Sequence, residues 1–117
     1  MNQVLIADKS YKKEDPSTRK NLSKAICKLQ ERINAYNSPI SQIFGDDILV
    51  HDLIHGHSCD FYVYKTVENG LQIRLLYTVV YPIDGIQTIS IISHFIKKKS
   101  DKSYLLYFQK IADGIKC

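Results

Sequence analysis

The chain has 117 residues, room for one domain and too little for two. Hydrophobic residues make up 44%, enough for a core, and no apolar run approaches the length that spans a bilayer. Sixteen Lys and Arg against twelve Asp and Glu leave a net charge of +4, a bias toward anionic partners far short of a histone-like polycation.

Residues 3–7, QVLIA, read as a short strand, and residues 8–15, DKSYKKED, as a polar loop. Asp15-Pro16 is a helix start: an aspartate suits the cap, and proline suits the first turn. Leu22, Ile26, Leu29, Ile33 and Tyr36 then recur at spacings of 4, 3, 4 and 3, one face of a helix. Lys20, Lys24, Lys28, Glu31 and Arg32 take the opposite face, and Cys27 is assigned to packing on the apolar side. Asn37-Ser38-Pro39 ends the helix, since proline disfavours helical geometry in the residue before it. Ile40, Ile43 and Phe44 suggest a further helical turn, and ILVHDLI (48–54) fits a strand or a short helix equally. HGHSCD (55–60) is turn-rich around Gly56.

FYVYKTV (61–67) is aromatic and β-branched, hence a strand. Glu68-Asn69-Gly70 is a hairpin turn, with Asn-Gly supplying the positive φ angles. LQIRLLYTVVY (71–81) is a long second strand, Pro82-Ile83-Asp84-Gly85 a second turn, and IQTISIISHFI (86–96) a third strand. In that third strand Ile89, Ile91 and Phe95 are assigned to a core face, and Ser90, Ile92 and His94 to the other. KKKSDKS (97–103) is a basic loop in which Ser100 or Asp101 can cap the closing helix of Tyr104, Leu105, Phe108, Ile111, Ala112 and Ile115. Two short hairpins in succession make the meander antiparallel. The expected fold is α+β: a small antiparallel sheet, made of the three-stranded C-terminal meander plus an N-terminal strand. The N-terminal and C-terminal helices pack it, on one face, leaving the other open to solvent or a ligand.

Cys27, Cys59 and Cys117 cannot all pair within one chain, and there is no CxxC. MNQVLIADKSYKK has no apolar signal core, so a reducing cytoplasmic setting is expected. His51, His55 and His57 flank a turn without a zinc-like spacing, so no metal is expected. Period-two counting places Arg74 opposite Ile73 and Leu75, and His94 opposite Ile91 and Phe95. Neighbouring strands can then bring Arg74, His94, Lys97, Lys98 and Lys99 onto one exposed surface suited to a polyanion such as RNA. RNA cleavage by internal transesterification needs a base for the 2′-hydroxyl, cations on the phosphate and an acid for the leaving oxygen. His94 can serve as acid or base, and Arg74 with a lysine can stabilise the phosphate; a lysine crowded by cations can serve as base. Tyr62, Tyr64 and Tyr77 are candidates for base stacking, although tyrosine in strands is also ordinary packing. Each residue has a plainer role too: a surface arginine, a structural histidine, a solvated lysine loop.

From Leu53 to Ala112 the chain resembles the RelE/ParE superfamily of bacterial toxins. DLIHG followed by FYVYK resembles the family's leucine–glycine turn into a basic strand, and IRLLYTV (73–79) its Arg-aliphatic-aliphatic-Tyr strand. ISIISHFIKKKSDKS (89–103) is similar to the HigB-like strand that ends in a phenylalanine and a lysine pair. The closing helix takes the place of the family's C-terminal helix. The resemblance implies a type II toxin–antitoxin toxin. It would be a metal-independent endoribonuclease that needs no cofactor, cuts mRNA at the ribosome and is held inactive by a cognate antitoxin protein. Arg74 matches the arginine set against the scissile phosphate, and His94 lies near the position of a catalytic histidine in some members. Lys97 and Lys98 match the lysine pair, and Lys65 a basic position on the first meander strand. Three features depart from the pattern. The strand holding Lys65 has a single basic residue, the hairpin Glu68–Gln72 is longer than usual, and Tyr104-Leu105-Leu106 opens the last helix without the usual proline and acids. Two other functions fit the same features: a non-enzymatic ParE-like inhibitor of DNA gyrase, and a basic RNA- or protein-binding module of phage or plasmid origin.

Overall fold

The computed structural model describes residues 3–34, 48–50, 60–80, 88–97 and 103–115. Five strands form one sheet: β1 (Gln3–Ile6), β2 (Ile48–Val50), β3 (Asp60–Glu68), β4 (Leu71–Val80) and β5 (Thr88–Lys97), in the spatial order β1-β5-β4-β3-β2. Among the described residues two helices accompany it, α1 (Pro16–Asn34) and α2 (Ser103–Asp113), with a short 3-10 turn at Tyr11–Lys13. The α+β class and the antiparallel meander β3-β4-β5 agree with the sequence reading. The N-terminal strand is also present, but it pairs parallel with β5, so the sheet is mixed. A parallel pair needs a crossover, and everything from α1 to β4 lies within it. The ambiguous 48–54 segment contributes a strand at residues 48–50; the turns at 40–44, 55–59 and 82–85 lie outside the described residues.

Asn69 and Gly70 form the β3–β4 turn with φ of 50° and 80°, the conformation that Asn-Gly adopts most easily. The Asn69 side-chain amide donates to the Asn21 carbonyl oxygen at 2.7 Å, fastening the turn to α1. At the start of α1, Asp15 accepts from the Thr18 backbone N–H at 2.7 Å. That bond, the largest of several, holds the Asp15 carboxyl below its usual pKa.

The two helices do not share one face of the sheet, as expected from sequence; each covers its own. Leu22, Ala25, Ile26 and Leu29 of α1 pack on Tyr62, Tyr64, Ile73, Leu75, Tyr77, Ile89 and Ile91. Tyr104, Phe108 and Ala112 of α2 pack on Phe61, Val63 and Leu76. Both faces are therefore apolar, and β4 reads as a nearly continuous hydrophobic run. Cys27 is exposed, not packed: the buried stripe of α1 runs through Ala25, Ile26 and Leu29 and leaves Cys27 on its solvent side. Among the described residues, no helix is long and apolar enough to cross a membrane.

Candidate nucleic-acid interface

A β-bulge decides where the predicted site residues go. Between Leu76 and Tyr77 the β5 partner jumps from Ser93 to Ile91, so Ile92 is an extra residue in the ladder. An extra residue reverses the alternation of everything beyond it. Ile89 and Ile91 face α1, as expected. Beyond the bulge the odd positions Ser93, Phe95 and Lys97 face α2, and His94 and Ile96 turn toward α1. The single surface holding both Arg74 and His94 therefore does not form. Arg74 lies on the α2 face and His94 on the α1 face.

On the α2 face the strand register sets Lys65 directly across from Arg74, and Arg74 across from Phe95. Lys97 stands one pair further along, opposite Gln72. Arg74 and Lys97 converge on one aromatic ring. The Arg74 guanidinium carbon is 5.5 Å from the Tyr104 ring centroid, and Lys97 Nζ is 6.0 Å from it. Such spacing allows cation–π attraction from both residues. The Phe95 ring lies 6.0 Å from the same ring and 6.0 Å from that of Tyr107.

Arg74 is only 9% exposed. Its Nη1 donates to the Ile73 carbonyl oxygen at 3.1 Å, while Nε is buried without a hydrogen-bond partner. A buried, unmatched donor on a cation costs folding free energy, and the like charge of Lys65 directly opposite adds to it. No carboxylate among the described residues pairs with Lys65, Arg74 or Lys97. An anion at the exposed edge of this set, of which a phosphate with several acceptor oxygens is the best-fitting type, would offset the repulsion between Lys65 and Arg74.

The remaining sequence candidates fall elsewhere. Tyr62 and Tyr77 are fully buried on the α1 face, stacked with centroids 5.3 Å apart, and Tyr64 is buried beside them under Arg32. They form the core and present no face to a base. Lys98 and Lys99 lie outside the described residues, as do His51, His55 and His57. The sequence reading missed Tyr104, whose place in the first turn of α2 was read only as apolar periodicity.

His94 is the centre of a second polar cluster, on the α1 side. Its Nδ1 contacts Asp8 Oδ2, and its Nε2 contacts Glu14 Oε1 at 3.1 Å. The Ser10 hydroxyl donates to Asp8 Oδ1 at 2.6 Å, the Ser10 backbone N–H does so at 3.0 Å, and Ser10 Oγ lies 3.3 Å from His94 Nδ1. Burial works against the charged form of His94, but the hydrogen bonds to Asp8 and Glu14, with their charges, outweigh it and raise its pKa. Burial likewise works against the Asp8 carboxylate, but the bonds from His94 and Ser10 and the imidazolium charge lower its pKa overall. Asp8, Ser10 and Glu14 belong to the segment read as a plain polar loop. The acids of DKSYKKED were the available signal, but nothing local shows that they meet a histidine 80 or more positions away.

No protein-family model matches the chain, and comparisons with characterised proteins and with solved structures also return no match.

Proposed function

We propose that this chain is a toxin of the RelE/ParE type that binds RNA on its α2 face and cleaves it without a metal, at the ribosome, until a cognate antitoxin protein blocks it. The observation that supports this most is the cationic set itself: Arg74 and Lys97 beside the Tyr104 ring, with Lys65 across the strand from Arg74. In the cleavage step the 2′-oxygen attacks the adjacent phosphorus and the bond to the 5′-oxygen breaks. A 2′,3′-cyclic phosphate and a free 5′-hydroxyl result. Arg74 and Lys65 hold the phosphate oxygens as charge builds on them. A lysine amine at the edge of the set, with Lys97 the candidate, passes the proton from the 2′-hydroxyl toward the leaving oxygen. His94 has no part in this step, because it lies on the other face of the sheet.

The same observation favours a second reading. With His94 withdrawn, the described residues of the α2 face carry cations but no histidine, which suits a non-enzymatic inhibitor of gyrase or a binding module. Induction of the chain alone in a bacterium, beside Arg74→Met, separates these readings. Growth arrest with site-specific mRNA breaks, lost in the variant, supports the ribonuclease. Arrest with intact mRNA supports the inhibitor, and harmless expression of folded protein the binding module.

A further inference from the structure

The cluster around His94 ties together parts of the chain far apart in sequence. We propose that His94, Asp8 and Glu14 form a proton-operated latch on the segment between β1 and α1. With the imidazole doubly protonated, the segment is pinned to the sheet; when His94 loses a proton, the segment's outer end at Glu14 is released.

The geometry carries this. Both ring nitrogens of His94 face carboxylate oxygens. Only the imidazolium has two N–H donors; the neutral ring has one donor and one acceptor, and its acceptor would face a carboxylate lone pair. The two carboxylates are not equivalent. Asp8 is buried and also accepts twice from Ser10, so it keeps the Nδ1 proton. The Glu14 side chain is 35% exposed and can turn to water. Loss of the Nε2 proton therefore frees Glu14 first.

The other ties on the segment among the described residues are the Ala7 N–H to Ile91 at 2.8 Å, the Tyr11 hydroxyl with Ser23 of α1, the packing of the Tyr11 ring against the α1-side core, and two 3-10 bonds at Lys13 and Glu14. Lys9, Lys12 and Lys13 of the same segment are exposed. From β4, Leu75 stands opposite His94 and Arg74 points to the other face; from β5, the next residue on this face is Ile96. The charges that act on the ring are thus Asp8 and Glu14, and they raise its pKa above the ordinary histidine value. Opening accordingly belongs to pH above about 6.5.

The test is amide exchange of residues 11–14 by NMR, expressed as protection relative to an unstructured chain at each pH, with the His94 ring nitrogens followed in the same samples. Both nitrogens are expected to be protonated at low pH. Protection is expected to fall about tenfold or more as Nε2 deprotonates, the loss of one charge-assisted hydrogen bond. In Glu14→Gln, which alters only the half-exposed end, the His94 midpoint drops and protection at low pH falls toward its high-pH level. A single-proton tautomer at all pH values overturns the proposal. So does protection that ignores the titration, or a midpoint unmoved in Glu14→Gln.

Discussion

Replacing Arg74 by methionine separates a binding group from a structural one. The residue is 9% exposed, so the substitution swaps a buried cation for an apolar chain of similar length. The loss is one hydrogen bond to the neighbouring Ile73 carbonyl and the attraction to Tyr104. These are worth roughly 1.5–3 kcal/mol for a charged donor and about 0.5–2 kcal/mol for the cation–π contact. The gain is relief of an unmatched buried N–H, about 1–3 kcal/mol, and of the Lys65 charge opposite, about 0.2–1 kcal/mol. The two sides nearly cancel. Replacing buried ionic groups by well-packed apolar ones is often neutral or stabilising. Arg74→Met is therefore expected to unfold within about 1 kcal/mol of the parent. Urea denaturation checks this from the midpoint, provided the slope is unchanged. A loss of about 3 kcal/mol or more, the size reached when a buried ion pair is broken, would refute the reasoning and make the guanidinium a structural tie.

The His94 cluster predicts a stability optimum on the acid side of neutrality. His94 has a raised folded pKa, so its contribution is full below the unfolded value near 6.5 and is lost as pH rises through the folded one. Asp8 has a lowered one, so its contribution is full above about 3.9 and is lost as pH falls through the folded value. Urea midpoints measured from pH 3 to 9 should peak between these limits, and the alkaline decline should vanish in His94→Gln; a flat profile above neutrality would contradict it. Gly70→Ala meets nothing within 4 Å, so its cost is that of φ +80° alone, about 1–2 kcal/mol, read as a lower melting temperature with unchanged circular dichroism. Phe108 is fully buried between α2 and the sheet, and Phe108→Ala should cost about 3–5 kcal/mol in the same urea assay.

The elements that sequence revealed are those set by local chemistry. Asn69-Gly70 has no comfortable alternative to its turn, and Leu22, Ile26 and Leu29 mark one side of α1 whatever it packs against. The site was harder to read because the sheet is covered on both faces. With Ile91, Ile92 and Ile96 all apolar, β5 shows no clean alternation, and the bulge at Ile92 leaves no mark on the pattern. Counting straight through it placed Phe95 in the wrong layer and moved His94 onto the wrong face. The parallel pairing of β1 and the meeting of Asp8 and Glu14 with His94 depend on long-range placement that no local spacing encodes. Arg74 and Lys97 do share a face, but only because the bulge moves Lys97 there; Lys65, named only through the family resemblance, stands beside Arg74 because their strands are joined by a tight hairpin.

The most direct test of the proposed activity is cleavage of a short mRNA on purified bacterial ribosomes, comparing the parent chain with Arg74→Met and His94→Gln. The proposal predicts products ending in a 2′,3′-cyclic phosphate for the parent and for His94→Gln, and none for Arg74→Met. Undiminished cleavage by Arg74→Met, or its loss in a folded His94→Gln, would contradict an active face centred on Arg74.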